Sequence, residues 1–214
     1  MITHEGKNYI IDTGQDFRTQ ALAVGLKSLD AVFYTHDHAD HLLGIDDLRV
    51  FTKEVSMPVY GSPVILNQIR QRFSYMFRTD MPGGGVASLD LRMITSKGIS
   101  LDGLSIRPIP IWHGEKLING YRIGDTAYLT DCSGIPKTSL SLLQGLDTLI
   151  IGALRYTSHP THFSVSEAVD VIKKVAPRRA YLTHMCHNLE HDRLLADLPE
   201  SIEPAFDGLQ IRCS

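Results

Sequence analysis

The sequence predicts a mixed α/β protein, and two observations lead to that class. Short apolar stretches of strand length alternate along the chain with stretches of helical periodicity. No internal repeat and no linker interrupts this order, so we expect one domain over residues 1–214. A chain of 214 residues with 43% hydrophobic residues is long and apolar enough to bury a sizeable core.

The first half of the chain alternates strand and helix signals. The strand signals are YIID at 9–12, LDAVFYT at 29–35 and MPVYGS at 57–62. The helix signals are QDFRTQALAVGL at 15–26, ADHLLGIDDLRVFT at 39–52 and PVILNQIRQRF at 63–73. Three consecutive glycines indicate that DMPGGGVASLD at 80–90 is a mobile loop.

The second half is richer in strands. Its strand signals are LRMITS at 91–96, LSIRPIPIWHG at 104–114, a hairpin around GD at 121–131, DTLIIGAL at 147–154, RAYLTH at 179–184 and a last strand or hairpin at 202–213. One helix is predicted over 165–175, because Ser164 and Glu167 form a capping box in front of it.

Charge, cysteine content and hydropathy narrow the class of protein. A formal charge of −3 and a pI near 6.3 do not favour a broad nucleic-acid-binding face. Three scattered cysteines are too few for a disulfide framework, which favours a reducing cytoplasm. No apolar run reaches membrane-spanning length and no signal peptide is visible, so we expect a soluble cytoplasmic protein without a membrane partner.

The densest cluster of polar residues follows the strand signal at 29–35. The segment YTHDHADH contains four candidate metal ligands: His36, His38, Asp40 and His41. Imidazole and carboxylate groups suit divalent metals, and His36 and His38 share one side of an extended backbone, so both can reach one ion. Asp40 and His41 lie at the start of the next helix signal and can reach a second point nearby.

Three further candidate ligands occupy the same kind of position. His113, Asp131 and His184 each end a predicted strand. With residues 36–41 they give seven oxygen and nitrogen ligands, enough for two ions bridged by a carboxylate. Cys132 and Cys186 are not needed for this set, and we interpret them as ordinary buried residues.

The segment THDHADH is similar to the H-x-H-x-D-H signature of the metallo-β-lactamase superfamily, and the later His, Asp and His recur in the same order. The resemblance implies a four-layer αββα sandwich. It implies one ion held by His36, His38 and His113, a second held by Asp40, His41 and His184, and a bridging Asp131. The segment IIDTG is similar to the family's early Asp turn, which implies that Asp12 orients ligands.

The chain departs from the family at its start. Its first residues, MITHEGKNYIID, resemble the family's second strand, so we expect the usual first strand to be absent. Some relatives hold a structural zinc with cysteines from that stretch. His187 would then be the remaining partner of such a site, although a polar position at the start of a helix is the simpler interpretation.

The chemistry of two divalent ions favours phosphodiester hydrolysis, since they bind anions and generate a hydroxide nucleophile near neutral pH. Residues 159–185 resemble the PhnP-type branch, phosphodiesterases associated with cyclic ribose phosphates. The resemblance gives His162 a catalytic role alongside Asp40, as a donor to phosphate or to the leaving oxygen. The roles of His159 and Arg155 are open. The expected substrate is a small phosphodiester, cyclic or open, and the expected cofactors are two Zn²⁺ or Mn²⁺ ions.

Three alternatives remain open. A nuclease related to tRNase Z is disfavoured because residues 80–90 form no long basic arm and the net charge is slightly acidic. Thioester or lactone hydrolysis suits the same metal centre. A non-catalytic binding protein would have lost ligands, and none is lost here. A homodimer that covers the N-terminal sheet edge is compatible with the sequence.

Overall fold

The computed structural model describes residues 1–78 and 85–213. Contacts between Cα atoms divide the chain into two compact units, Met1–Lys97 and Gly98–Ser214, and each unit contains one β-sheet with helices. The predicted α/β class is therefore confirmed. Among the described residues, no helix is both long and apolar enough to cross a lipid bilayer.

The sheet of the first unit has five strands in the order β1-β2-β3-β4-β5. The strands are β1 (Ile2–His4), β2 (Lys7–Ile11), β3 (Ala31–Phe33), β4 (Met57–Gly61) and β5 (Leu89–Met93). Residues 1–12, expected to be a single strand, instead form an antiparallel hairpin of β1 and β2. Strands β2 to β5 are parallel. Residues 80–84 of the loop predicted at 80–90 lie outside the described residues. The last two residues of that predicted loop, 89 and 90, begin β5.

In the described part of this unit, three α-helices accompany the sheet: α1 (Phe17–Ala23), α2 (Ala39–Leu42) and α3 (Pro63–Arg72), with 3₁₀ segments at Leu43–Phe51 and Ser74–Phe77. The helix predicted over 39–52 is thus α-helical only at its start. The physical reason is that the Gly44 amide donates to the Thr13 carbonyl at 2.9 Å, whereas a continuing α-helix would use the Asp40 carbonyl. Leu42, Ile45 and Leu48 nevertheless face a buried apolar cluster, as the periodicity predicts.

The sheet of the second unit has seven strands in the order β12-β11-β10-β9-β8-β7-β6. The strands are β6 (Ile99–Leu101), β7 (Leu104–His113), β8 (Lys116–Ile123), β9 (Thr126–Leu129), β10 (Thr148–Gly152), β11 (Arg179–Thr183) and β12 (Ile202–Pro204). Strands β6 to β9 are antiparallel neighbours, and β9 to β12 are parallel.

The helices of the second unit are α4 (Lys137–Leu140), α5 (Val165–Val175) and α6 (His191–Asp197), with a 3₁₀ turn at Ser141–Leu143. Helix α5 has the predicted bounds and the predicted capping box, because the Ser164 and Glu167 side chains each accept the other's backbone amide. Its buried face, which includes Ala168 and Ile172, packs against the core of this unit.

Strand direction determines whether the polar residues that follow the strands lie at the same edge of a sheet. Strands β2 and β3 are parallel, so the residues after them lie at one edge of the first sheet. In the second sheet, β9 and β11 run in the same direction, and β7 shares it because two antiparallel pairings separate β7 from β9. The carboxyl ends of β7, β9 and β11 therefore lie at one edge.

Candidate metal centre

The first unit brings together the four predicted ligands of the H-x-H-x-D-H segment. The ring of His36 lies 4.3 Å from that of His41 and 4.6 Å from that of His38, between centroids. The Asp40 Oδ2 atom lies 3.3 Å from the Nε2 atom of His41. His36 and His41 are buried, whereas Asp40 is exposed. The strand end and the short helix α2 thus gather three imidazoles and one carboxylate.

Asp12 supports two of these histidines, His41 by a direct hydrogen bond and His36 through the Thr35 hydroxyl. It directly follows β2 and has a left-handed backbone with φ of 59°. One carboxylate oxygen, Oδ2, lies 2.7 Å from the Nδ1 atom of His41 and accepts the Thr35 hydroxyl at 2.7 Å. The other oxygen accepts the Thr35 amide at 2.8 Å. Asp12 therefore contacts a predicted ligand, His41, directly, in the orienting position expected for it.

These contacts assign the proton positions on both rings. A carboxylate only accepts, so the Nδ1 atom of His41 carries the proton that it donates to Asp12. The Thr35 hydroxyl gives its proton to Asp12 and accepts from the Nδ1 atom of His36 at 2.9 Å. Both histidines therefore present a lone pair at Nε2, as a metal ligand must.

A close approach of two backbone segments fixes Asp12 against the ligand loop. The Thr13 amide donates to the His41 carbonyl at 2.8 Å. A Cβ atom at Gly14 would lie 2.3 Å from the Asp40 carbonyl oxygen, and one at Gly44 would lie 2.2 Å from the Gly14 carbonyl oxygen. The glycine of the IIDTG segment is therefore required by this contact.

Asp37 lies between the first two histidines and has a different function. Its carbonyl oxygen and its Oδ2 atom accept hydrogen bonds from the Arg72 guanidinium at 2.6 Å and 2.5 Å. Arg72 belongs to the last turn of α3. This two-pronged contact ties the loop that carries His36 and His38 to a helix.

The second unit brings together the other three predicted ligands and His162. The Asp131 carboxylate is buried, and its Oδ1 atom lies 3.1 Å from the Nε2 atom of His184. Its Oδ2 atom lies 3.9 Å from the Nε2 atom of His113 and 4.0 Å from the Nδ1 atom of His162. Asp131 and His184 have left-handed backbones with φ of 53° and 56°. Such strain at non-glycine residues is typical of functional positions.

Backbone hydrogen bonds connect the segments that carry these side chains. Trp112, beside His113, donates its amide to Gly134 and accepts the amide of Ser133. The amide of Phe163, which follows His162, donates to the Cys132 carbonyl. A further chain of bonds runs from Phe163 through Leu154 to Cys186, near His184, and all of these N···O distances lie between 2.6 and 2.9 Å. Backbone hydrogen bonds therefore join the segments that carry this cluster.

The proton position of His113 follows from one of these segments. Its Nδ1 atom lies 2.8 Å from the Thr161 carbonyl oxygen, which only accepts. The proton is therefore on Nδ1, and Nε2 presents its lone pair. His113 thus has the same tautomer as His36 and His41, in agreement with its predicted role as a ligand.

His162 lies among other imidazoles. Its ring is stacked 5.0 Å from that of His184 and lies 4.8 Å from that of His113. Burial lowers the pKa of His162 to about 4, even though Asp131 acts in the opposite direction. The ring is therefore neutral at pH 7 and has one N–H to donate.

Three further residues singled out in the sequence lie outside the two clusters of predicted ligands. Arg155 donates to the carbonyl oxygens of Thr157 and Ser158, at 3.2 Å and 2.7 Å, so its guanidinium supports its own loop. His187 lies in the turn before α6 and outside the helix, so its expected position in the helix entry is wrong by a few residues. Cys132 is buried, and burial raises the pKa of its thiol to about 12, which fits an inert core residue.

Sequence reasoning missed several supporting threonines. Thr35 and Thr161 set the proton positions of ligand histidines, and Thr130 donates its hydroxyl to Asp131 at 2.9 Å. A signal for two of them was present. Threonine directly precedes a candidate ligand in the segments YTH, LTD and LTH, each at a strand end.

The donor set fits a divalent metal. Three histidines present Nε2 lone pairs while their Nδ1 atoms are held by a carboxylate, a hydroxyl or a carbonyl oxygen, which is the usual support of ligating histidines. Carboxylates of both units lie beside these nitrogens. Nitrogen and oxygen ligands of this kind suit zinc or manganese.

Comparison with known families decides the assignment. A profile described as Beta-lactamase superfamily domain matches residues 7–185, most of the chain. The chain belongs to the metallo-β-lactamase superfamily. A superfamily member solved as "a New Diphosphatase from the PhnP Family" has 38% identity and a TM-score of 0.91, over 99% of this chain and 82% of that one. The fold and the resemblance to PhnP-like hydrolases are thus confirmed.

Two curated relatives add further comparisons for this superfamily member. An octanoyltransferase of Porphyromonas gingivalis is 37% identical over 213 residues, which cover 98% of this chain and 43% of that protein. The chain therefore spans less than half the length of that relative. A ribonuclease Z of Methanothermobacter thermautotrophicus is 22% identical over an alignment 261 residues long, gaps included, and the alignment covers 94% of this chain and 85% of that protein.

Proposed function

We propose that the protein is a metal-dependent phosphohydrolase that acts on small phosphodiesters, with cyclic ribose phosphates and nucleotides as the leading candidates. The observation that carries this proposal is His162, an imidazole outside the ligand set, 4.0 Å from Asp131. The similarity to a PhnP-family diphosphatase over nearly the whole chain supports it, and extends the substrate class to small diphosphates.

We propose that seven residues hold two Zn²⁺ or Mn²⁺ ions. The ligands are His36, His38 and His113 for one ion, Asp40, His41 and His184 for the other, and Asp131 for both. When bound, the ions would lower the pKa of water and stabilise negative charge on the phosphoryl group. The Nδ1 contacts of His36, His41 and His113 support this assignment, since they keep each Nε2 atom deprotonated.

His162 would bind the phosphoryl group. Its neutral ring donates one N–H, which suits an anionic oxygen better than delivery of a proton. A phosphate anion beside the ring would raise the pKa of His162 again, so the ring could take up a second proton from solvent water after substrate binds and pass that proton to the leaving oxygen. Asp40, exposed at the start of α2, would accept the proton of the attacking water.

A second candidate is hydrolysis of an acyl thioester. The specific observation in its favour is 37% identity to the octanoyltransferase over 98% of this chain. The buried charge of Asp131 beside three imidazoles is compatible with either a phosphoryl or an acyl substrate. Cleavage of tRNA stays disfavoured by the net charge of −3. A cytoplasmic location, a single domain and a homodimer remain predictions from the sequence.

A substrate panel tests the proposal. The metal-loaded chain is offered an aryl phosphodiester, a cyclic nucleotide, a diphosphate diester, a tRNA precursor, an octanoyl thioester and a lactone. The phosphorus esters of small molecules should have the highest kcat/KM. A preference for the thioester or lactone would replace the proposal by the second candidate, and preference for the tRNA precursor would indicate a nuclease.

A variant identifies the role of His162. His162→Ala should keep its metals and lose roughly 100- to 10,000-fold in rate on the aryl phosphodiester, the usual loss for a proton-transferring group. The loss should be smaller for a leaving group that needs no proton. Ser158→Ala, in the preceding loop, is the matched control and should retain wild-type activity. Equal rates for His162→Ala and the wild type would contradict the proposed role.

A further inference from the structure

Thr161 contacts two histidines of the second unit through opposite backbone groups. Its carbonyl oxygen accepts from the Nδ1 atom of His113 at 2.8 Å. Its amide donates to the Nδ1 atom of His159 at 3.3 Å, and its hydroxyl lies 3.2 Å from that same nitrogen. An amide N–H only donates, so the Nδ1 atom of His159 must be unprotonated. One residue thus selects opposite tautomers for two imidazoles.

The consequence is a difference in chemistry between His113 and His159. His113 presents a lone pair at Nε2 and suits a metal. His159 carries its proton at Nε2 and is a hydrogen-bond donor, so it is not prepared to be a metal ligand. The His159 ring is half-buried and lies 5.1 Å from the ring of His162, between centroids.

We propose that His159 is a substrate-binding residue whose Nε2–H donates a hydrogen bond to a second phosphoryl group of the substrate, adjacent to the one held by His162. This inference rests on the proposed phosphohydrolase function and assigns a residue to the second of two linked phosphoryl groups. A row of two imidazole donors matches two neighbouring groups of anionic oxygens.

The loop around His159 supports this role. Arg155 lies at the start of the loop 155–162. Its guanidinium donates to the carbonyl oxygens of Thr157 and Ser158. It therefore shapes the loop that carries His159. A neutral N–H donor next to His162 would contact the substrate without adding a second positive charge beside the metal ligands.

The first test measures the tautomer directly. The ¹⁵N chemical shifts of the His159 ring in the zinc-loaded full-length protein should identify a protonated Nε2 and an unprotonated Nδ1. The His113 ring should give the opposite pattern. A His159 ring protonated at Nδ1 would overturn the proposal, whatever substrate the enzyme cleaves.

The second test separates the two ring nitrogens by substitution. His159→Gln places an amide donor near the position of Nε2, whereas His159→Asn places it near Nδ1. For a diphosphate diester, KM should rise about 10- to 100-fold in His159→Ala and His159→Asn, the loss typical of a hydrogen bond to a charged group. His159→Gln should restore most of the affinity. The rise in KM should be smaller for an aryl phosphodiester, which has one phosphoryl group.

The outcomes distinguish this inference from the proposed function. If the wild type cleaves both phosphorus substrates but the ratio of their kcat/KM values is unchanged in His159→Ala, the inference is wrong and the phosphohydrolase remains. Equal behaviour of the Gln and Asn variants would also overturn it. If the wild type cleaves neither phosphorus substrate, the proposed function itself fails. Metal content and melting temperature of each variant identify any loss caused by misfolding, and the tautomer measurement needs no variant.

Discussion

The ligand clusters of the two units are built in different ways. In the first unit, four ligands lie within six consecutive residues, and a side chain, Asp12, supports two of them. In the second unit, the ligands come from three strand ends far apart in sequence, and backbone hydrogen bonds support them. In the first cluster a single substitution can therefore remove much of the support. In the second cluster the backbone hydrogen bonds remain after a substitution, and Thr130, which donates its hydroxyl to Asp131, is a side-chain support.

The largest effect is expected for Asp131→Ala. Its buried carboxylate lies beside His113, His162 and His184, and the substitution removes the proposed bridge and leaves three imidazoles close together. We expect loss of both ions and of all measurable hydrolysis, checked by elemental analysis and turnover. Asp125→Ala, in the exposed turn between β8 and β9, is the matched control and should retain both. Full metal content in Asp131→Ala would rule out the bridge.

A smaller loss is expected when the support of the first cluster is removed. Asp12→Asn replaces one of two acceptor oxygens by an NH2 donor, which would face either the Thr35 amide or the Thr35 hydroxyl and His41, so the substitution loses at least one hydrogen bond that holds this support. Loss of such a supporting group typically lowers metal affinity about 10- to 100-fold. Competition with a chelator measures it, with the exposed Asp16→Asn as control. Wild-type affinity in Asp12→Asn would mean that the carboxylate is not a support.

Two glycines sharpen the contrast between the clusters. Gly14→Ala would place its Cβ atom 2.3 Å from the Asp40 carbonyl oxygen, whereas Gly134→Ala, beside Trp112, meets its nearest atom at an ordinary 3.6 Å. We expect Gly14→Ala to destabilise the fold by about 1–3 kcal/mol, as overpacking does, and to weaken metal binding as well. Gly134→Ala should be nearly neutral. Urea denaturation compares the two, and equal losses of stability would contradict the close contact.

The smallest effect is expected for Arg72. Its guanidinium donates to the carbonyl oxygen and to one carboxylate oxygen of Asp37, but the pair is partly exposed and screened by solvent. Arg72→Lys keeps the charge and loses the two-pronged geometry, so metal affinity should fall only a few-fold. Arg70→Ala, in the same turn of α3, is the control. Metal titration by calorimetry distinguishes the two, and identical affinities would show that the contact does not position the loop.

The elements with strong local signals were predictable from the sequence. The capping box of Ser164 and Glu167 gave the bounds of α5 because both partners lie within one turn. The H-x-H-x-D-H segment was recognisable because its ligands are adjacent. The helical segment at 39–52 was predictable, but its change from α-helix to 3₁₀ helix was not, because the Gly44 amide bonds to Thr13, a contact between distant segments that local periodicity cannot reveal.

The supporting contacts of the site were largely hidden from sequence reasoning. Asp37 and Arg72 are 35 residues apart, and His113 and Thr161 are 48 apart, so only the fold brings each pair together. Thr161 acts through its backbone amide and carbonyl groups, and every residue except proline has both. The residue type at position 161 therefore gave no signal of this role in the sequence.

Metal analysis of protein purified without added metal tests the central claim most directly. The claim is that the seven predicted ligands hold two divalent ions, and that three of them present Nε2 lone pairs set by Asp12, Thr35 and Thr161. The account predicts close to two zinc or manganese ions per chain. A reproducible value of zero would contradict it, provided that a cooperative thermal unfolding transition shows the protein sample to be folded.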